Sequence, residues 1–397
     1  MRDALSGYRR ALRHRDYRVL WLAAVVSRGG DTLNFTALPL FVYAATRSAA
    51  AVSVLVIAEI VGAVGGAVLA SPFVDRVPPR TLLILADIVR LLAAATLAAA
   101  PTIASALAVA LVLAVATAVF SPTSSALVPR MVNASDLTAA NALQWTAGVV
   151  LQLVLAPLGG LLVAVTSVRV PFAINAASFG ISALLLTRLP AQPALSIGTP
   201  ALRQLPDALH AFRRSSLLRA LVAMQTLGAL AVGATSALLV VLARQGYGLS
   251  PSGYGLWLGA IGAGALAGPL LVTGLRRLRP KTVVTGAYAI RGGGDALLGL
   301  LPNGAAAAGV LVVYGVNTSS GMISFQTLVQ QGVAAELRGR AFALLDSVWQ
   351  SGRLVSIAAG GLVAGAVGVR PLYVAGGVLL VLAAGVGALL LPRVAVH

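Results

Sequence analysis

The chain of 397 residues contains no cysteine, only three histidines and eleven acids, and just 10% of it is charged. Without cysteine there is neither a disulfide framework nor a thiolate metal site. His14, His210 and His397 fall in expected loops or tails, so no metal is expected. No G-x-x-x-x-G-K-[ST] phosphate loop occurs, so this chain is not expected to hydrolyse ATP. Gly292-Gly293-Gly294 lies inside an apolar run and is no nucleotide loop. No soluble domain exists to hold a catalytic triad. No enzyme activity and no cofactor are expected. A soluble domain coats itself with about 25% charged residues, which this composition cannot do.

What the chain has is apolar length. It is 58% hydrophobic, with a mean hydropathy of +0.92. The apolar runs are continuous and rich in Ala, Leu, Val and Gly, not alternating as in a membrane β-barrel. About 20 residues of helix cross the ~30 Å hydrocarbon layer. Twelve such runs are readable: 17–43, 52–71, 81–100, 103–126, 143–165, 171–189, 217–242, 253–275, 282–301, 305–328, 341–367 and 372–391. The expected fold is an all-α membrane protein of twelve transmembrane helices in a lipid bilayer. The first run is long enough to span and lacks a small-residue cleavage site, so it is not read as a signal peptide. Arg9-Arg10 belongs to a basic tail rather than to a twin-arginine signal.

The net charge of +18 would suggest a nucleic-acid partner in a soluble protein. Here the basic residues sit in the gaps between apolar runs, so none is expected. Of 29 Lys and Arg, 21 fall on one side: six in the N-terminal tail, the rest in even-to-odd connections and the C-terminal tail. Only Arg47, Arg169, Arg244 and Arg370 fall on the other, and Arg28, Arg90, Arg291 and Arg353 lie within runs. That asymmetry sets both termini in the cytoplasm of a cell inner membrane.

The longest polar stretch, with four prolines, runs from Pro190 to Ser216. It divides the chain into an N-terminal bundle (1–189), a cytoplasmic linker (190–216, with a short surface helix over 205–214) and a C-terminal bundle (217–397). The halves echo each other. Arg80-Thr81 matches Lys281-Thr282, Arg90 matches Arg291, and Gly159-Gly160-Leu161 matches Gly360-Gly361-Leu362, all at an offset of 201, with Asp136-Leu137 and Glu336-Leu337 at 200. Shared offsets point to a duplicated six-helix unit, one of the known transporter plans.

Several stretches resemble the major facilitator superfamily. Between the second and third runs that superfamily carries G-x-x-x-D-R-x-G-R-R; Asp75, Arg76 and Arg80 match it here, with Ser71 for the first glycine and Pro78-Pro79 for Gly-Arg. The fifth run reads Ala156-Pro157-Leu158-Gly159-Gly160, similar to the Gly-Pro-x-x-Gly element of drug/proton antiporters. The arginine often found in the fourth span of other drug antiporters is absent. Ser27-Arg28-Gly29-Gly30-Asp31, Phe120-Ser121-Pro122, Leu127-Val128-Pro129, Ala140-Asn141-Ala142 and Glu336-Leu337-Arg338-Gly339-Arg340 resemble the macrolide-efflux and enterobactin-exporter branch. The resemblance implies the major facilitator fold and a conformational switch. In that switch Asp75, with Arg76 and Arg80, contacts the start of the eleventh run in one state. A carboxylate is favoured at a helix N-terminus, and a bond made in one state only biases the equilibrium between states. Pro157 and Gly160 would let the fifth helix rock, since proline removes a backbone donor and glycine permits close packing.

Five acids fall within apolar runs: Asp31, Glu59, Asp87, Asp295 and Asp346. Each costs roughly 2.5–3.5 kcal/mol to insert at a helix centre. Carboxyls in oil favour the neutral form, so they can trade protons as coupling requires. Asp31, Glu59, Asp87 and Asp295 are the proton-coupling candidates. Arg28–Asp31 and Asp87–Arg90 are three apart and Arg291–Asp295 four, spacings that put partners on one helix face. Each therefore has two readings, a neutralised structural pair or a proton carrier. Glu59 has no basic residue at such spacing. Asp346, one turn inside its run, is read as interfacial. Asn34, Phe35, Gln144, Gln152, Gln225, Asn317 and Gln350 are candidates to line a substrate cavity, with Gln326, Trp145 and Trp257 as further polar and aromatic groups. With 5% aromatics and few fixed charges, that cavity would suit a bulky amphipathic or cationic compound.

The expectation is a monomeric secondary transporter that exports small hydrophobic or amphipathic compounds, such as a drug or secondary metabolite, in exchange for protons. An importer or facilitator of a nutrient or siderophore on the same fold is the alternative, and a membrane enzyme a more remote one.

Overall fold

The computed structural model describes residues 2–74, 76–193, 215–274, 280–333 and 337–391. The central stretch 194–214, Asp75 and Glu336 lie outside them, and with them most of the expected linker, its surface helix and the acid of the expected switch.

Among the described residues, twelve helices run 18 residues or longer. The chain begins with a short basic helix, α1 (Arg2–Arg13). Six long helices follow: α2 (Arg15–Thr46), α3 (Ala49–Val74), α4 (Pro79–Ala99), α5 (Ile103–Met131), α6 (Leu137–Val165) and α7 (Arg169–Leu186). The later six are α8 (Ser216–Ala237), α9 (Pro251–Gly274), α10 (Pro280–Leu300), α11 (Gly304–Gly332), α12 (Arg338–Val367) and α13 (Val369–Leu390). A wide π-turn over Leu242–Gly246 closes the stretch after α8. Eight helices are apolar and long enough to cross a membrane on length and composition alone. Three of the other four, α2, α10 and α12, carry charges within the helix.

The helix boundaries repeat at the offset seen in the sequence. Pro79 opens α4 and Pro280 opens α10; a proline at a helix start loses only a donor that is unpaired anyway. Thr102 caps α5 through a reciprocal bond with Ser105, and Asn303 caps α11 by accepting from the amides of Ala305 and Ala306 at 2.7 and 3.0 Å. Gly368, at φ 93°, makes the turn between α12 and α13 in a conformation costly for any other residue.

The chain forms two compact units. One holds residues 1–45, 57–198 and 251–255, the other 46–56, 199–250 and 256–397. In the first, α4 packs on α5 and α7, and Tyr17, Leu83, Leu127, Ala140 and Leu186 form a core near the N-terminus. In the second, α8 packs on α12 and α13, α10 packs on α11 and α13, and Leu221, Met224, Leu328, Leu345 and Leu391 form the corresponding core.

Each unit also contains the same helix crossing. A Cβ on Gly62 would stand 2.6 Å from the carbonyl oxygen of Leu111, and one on Gly66 2.7 Å from Val115 Cα, so α3 lies backbone to backbone on α5. In the second unit Gly264 and Gly268 lie on the backbone of Val312 and Val316. With lipid as solvent, close packing of small residues is a main source of helix association.

Candidate functional site

The first unit is organised around one buried cation. Arg90, 1% exposed, donates from Nη2 to Asp87 Oδ1 at 2.5 Å and from Nη1 to Ser27 Oγ at 3.2 Å. Asp31 Oδ2 stands 3.8 Å from the same Nη1. The rings of Phe120 and Phe179 lie 4.2 and 4.6 Å from its Cζ. Thus α2, α4, α5 and α7 each contribute to one group. A planar guanidinium suits this place, with N–H groups on its edge for carboxylates and flat faces for rings. A charge away from water is tolerated only when paired. Two carboxylates share the one arginine: Asp87 is fully buried, whereas the Asp31 side chain is 35% accessible.

The second unit repeats the arginine but not the acids. Arg291 Nε donates to Asp295 Oδ1 at 3.0 Å, and Thr235 Oγ1 donates to Asp295 Oδ2 at 3.0 Å. The ring of Tyr314 covers the guanidinium at 3.3 Å. The Tyr373 hydroxyl donates to the Thr235 carbonyl, which fixes α8 against α13. Asp295 is thereby bound on both oxygens and fully buried.

Arg291 also borders a cavity of about 420 Å³ whose walls all belong to the second unit. Tyr288, Tyr314, Phe325, Phe342 and Trp349 line it, with Met322. Gln225, Asn317, Thr318, Gln326 and Asp346 supply the polar atoms. Two of these are already engaged: Tyr288 donates to Gln225 Oε1 at 2.7 Å, and Asn317 Nδ2 to the Ala287 carbonyl at 2.8 Å.

Several expected residues find different surroundings. Arg28 does not bridge to Asp31; its Nη1 reaches the Gln144 carbonyl on α6 at 3.4 Å, and Asp31 turns across to Arg90 on α4. The intervening cause is packing, since Gly30 sits against Asn175 and Ser178 of α7 and turns that helix face inward. Asp346, expected at the interface, lines the cavity together with Trp349, one turn on along α12. Glu59 is half-buried on α3, within electrostatic reach of Tyr254. Arg76 is exposed, and Arg80 Nη2 donates to the Thr187 carbonyl at 2.6 Å, tying α4 to the end of α7. Pro157 lies within α6, and a Cβ on Gly160 would stand 2.9 Å from Gly255 Cα. Asn34 is buried, Phe35 is exposed, and Gln144 and Gln152 are half-buried on α6. Gln350 accepts from Arg353 Nη1 at 3.2 Å. Of the seven expected cavity residues, only Gln225 and Asn317 line the second-unit cavity. Among the described residues, no three of His, Asp and Glu gather as metal ligands.

The sequence reading passed over Arg90 and Arg291 as site residues, although both stood out as repeat-related arginines inside apolar runs. It also passed over Tyr288, Tyr314 and Trp349. Aromatic residues in apolar runs carry no signal of which face they occupy.

Comparison with known proteins agrees with this architecture. The family model described as the Major Facilitator Superfamily matches residues 20–357. An uncharacterized MFS-type transporter, YfiS of Bacillus subtilis (strain 168), is 30% identical in a 245-residue alignment that covers 57% of this chain and 57% of that one. The chain therefore matches a little over half the length of that relative. Among solved structures, the nucleoside transporter NupG superposes with a TM-score of 0.75 at 14% identity, covering 94% of this chain and 98% of that one. A bacterial homologue of the iron transporter ferroportin, in an inward-facing state, gives 0.74 at 16% identity over 94% and 98%. At such identities the likeness is one of fold. A family match over most of the chain, on a helical fold duplicated down to its caps and crossings, shows that this multi-pass membrane protein belongs to the Major Facilitator Superfamily.

Proposed function

We propose that this transporter exports small hydrophobic or amphipathic compounds in exchange for protons, by alternating access of its two halves (1–189 and 217–397, joined by 190–216). The observation that carries the proposal is the Asp31–Arg90–Asp87 cluster. One guanidinium satisfies one carboxylate. Asp87, buried at 2.5 Å, takes that place as the fixed counter-ion. Asp31, further away and partly accessible, is the carboxyl that gains and loses the proton. A change in its charge alters the attraction of α2 for α4, which gives the proton a means to bias one conformation. In the second half, Asp295 and Arg291 form a buried ion pair that serves as a structural counterpart. Glu59 is a second proton candidate. Asp75, Arg76, Arg80, Pro157 and Gly160 serve the conformational change.

The energy suffices. One proton entering down ~150 mV supplies about 3.5 kcal/mol, enough for a roughly 300-fold gradient of substrate. The charge asymmetry of the connections supports an inner-membrane protein with both termini in the cytoplasm.

The test is transport by purified protein in proteoliposomes, with an imposed pH gradient and a panel of amphipathic dyes and antibiotics. Dye movement against its gradient that stops with a protonophore supports the reading. Equal movement with and without any ion gradient would sink proton coupling and leave a facilitator.

A further inference from the structure

The start of the first unit carries a charged surface that the proposed transport cycle does not use. Helix α1 is docked by one side. Gly7 and Ala11, four residues apart and so on one face, belong to that side. A Cβ on Gly7 would stand 3.2 Å from Ala139 Cβ of α6, Ala11 is fully buried, and the Tyr8 hydroxyl pairs with Thr146 Oγ1 at 3.5 Å. Arg9 and Arg13, also four apart, lie on the opposite face and are exposed. At the start of α2, Arg15 and Arg18 are exposed while Tyr17 and Leu20 are buried. Only His14 separates the two helices, and its carbonyl accepts from the Arg18 amide at 2.9 Å. Among the described residues none of these four arginines has an ion pair. Arg10, also exposed, shares Asp136 with His14. Five exposed arginines thus face two acids, Asp136 and the half-buried Asp16, with Arg2 and Asp3 of opposite sign at the chain end. The neighbouring connections do not restore the balance, since they set Arg76, Arg130 and Arg188 against Asp75.

The height of this surface in the membrane is set by α2. Its 32 residues rise about 48 Å, against a hydrocarbon layer of ~30 Å. The excess falls at the charged start, because the far end is free of charge through Thr46. The first turn of α2 therefore stands among the headgroups, and α1 with it. Arginines on the polar face of a surface helix attract anionic lipid, and the guanidinium fork matches phosphate. We infer that α1 and the first turn of α2 form a binding surface for anionic phospholipid. Headgroup phosphates meet Arg9, Arg13, Arg15 and Arg18, while the other side of α1 holds α6. A soluble acidic partner would have to reach the same arginines through the headgroup layer. The inference concerns the bilayer around the protein and is independent of what the protein exports.

The test is hydrogen exchange of the α1 amides in the full chain, held in nanodiscs of phosphatidylcholine alone or with about a quarter phosphatidylglycerol. Phosphatidylglycerol should slow exchange over residues 6–13 roughly tenfold or more, since each arginine near an anionic surface contributes about fivefold. Arg9→Gln with Arg13→Gln should lose most of that slowing, and Arg9→Lys with Arg13→Lys should keep most of it. Arg15→Gln with Arg18→Gln, which leaves α1 untouched, should also weaken it. Arg130→Gln with Arg188→Gln removes the same charge from neighbouring connections and should keep it. Exchange in α1 that is the same in both nanodiscs overturns the inference. So does slowing that survives both glutamine pairs at the α1–α2 surface, or that the Arg130 and Arg188 pair loses equally. Equal slowing by soluble glycerol phosphate in phosphatidylcholine discs overturns it as well, because the ligand would then be free phosphate and not lipid. No transport is measured, so a chain that fails to export leaves this assignment standing.

Discussion

Arg90 and Arg291 stand at the same place in the two halves, 201 residues apart, each on the third long helix of its half with an aromatic ring against the guanidinium. Their acids differ. Arg90 meets one carboxylate from the preceding turn of its own helix and a second from α2; Arg291 meets one from the following turn. A duplicated scaffold has kept its cation and moved its anions, so the halves share an architecture and differ in charge balance.

Removing the arginine should therefore cost stability in both halves. Loss of one partner from a buried pair typically costs about 3–5 kcal/mol, because the other charge is left alone in oil. Arg90→Gln is expected to lower the melting temperature of the purified protein sharply. The double variant Arg90→Gln with Asp87→Asn should recover much of that loss, since the acid left without a partner, Asp31, is the partly accessible one. Arg90→Lys should recover less, because an ammonium cannot lie flat between Phe120 and Phe179 while holding Asp87. A single Arg90→Gln variant as stable as the native chain would show that the pair contributes nothing to the fold.

The two acids of that cluster should separate in function. Asp31→Asn is expected to fold, since its carboxylate is 3.8 Å from the arginine and partly accessible, but to lose proton-driven accumulation while retaining downhill exchange. Asp295→Asn should instead lower stability, because it strips Arg291 of its partner. The check is proton flux against substrate flux in proteoliposomes, with a melt on the same samples. Coupled transport by Asp31→Asn at the native ratio would remove that residue from the mechanism.

Much of this organisation is legible in the sequence, for physical reasons. Apolar length marks the spans because lipid demands it, and the shared offset marks the duplication because the repeat has kept Pro79/Pro280 and Arg90/Arg291 in register. Pairing is legible only along one helix: Asp87–Arg90 and Arg291–Asp295 follow from spacing, whereas Asp31 crosses to another helix and Arg28 leaves it for a backbone carbonyl. Depth along a run does not reveal the face, which is why Asp346 reads as interfacial although it opens on a cavity. The N-terminal six arginines read as a tail, whereas most of them ride on a docked helix, α1.

The docking of α1 should depend on pH through Asp136. That carboxylate accepts from His14 Nε2 at 3.1 Å and from Arg10 Nε at 3.2 Å. The hydrogen bond to His14, and then that to Arg10, holds it below the usual carboxylate range. A carboxyl depressed on folding stabilises the folded form at pH above its unfolded value, about 3.9. The contribution fades as pH falls through the lower folded value. Amides of α1 should accordingly be protected from hydrogen exchange at neutral pH and lose protection only in strong acid. Asp136→Asn should expose them already at neutral pH. Unchanged exchange in that variant would mean that Tyr8 and the Tyr17–Ala140 bond hold the helix without the acid.

The repeated helix crossings should be intolerant of size. Leucine at Gly62 or Gly264 would drive a side chain into the backbone of Leu111 or Val312, neither of which can rotate away. Forcing methylenes into a packed contact typically costs about 1–3 kcal/mol, and more is expected here because the obstacle is main chain. Gly65 and Gly309, where a Cβ meets nothing within 4 Å, provide the comparison. Gly62→Leu and Gly264→Leu are expected to reduce folded yield and melting temperature, with Gly65→Ala and Gly309→Ala close to native. If all four behave alike, composition rather than close approach accounts for glycine at these positions.

The loops farthest along the helices of the second unit are held by Arg370. Its Nε and Nη2 donate to the Gly246 carbonyl at 3.2 and 2.9 Å, its Nη1 to the Leu301 carbonyl at 3.0 Å, and its guanidinium stacks 4.6 Å from the Tyr247 ring. Tyr247 in turn donates to the Leu298 carbonyl at 2.7 Å and packs edge-on against Trp257. One side chain thus joins the ends of α10 and α13 to the π-turn after α8, and satisfies carbonyls that those ends leave open. Arg370→Ala should free both carbonyls and loosen Tyr247. Lysine, a point charge, can replace one bond but not the fork and the stack together. The expected result is faster hydrogen exchange across residues 242–250 and 298–304 in both variants, larger in alanine than in lysine, with exchange in α4 and α7 unchanged. Faster exchange in α4 and α7 as well would mean that Arg370 supports the whole fold and not this junction.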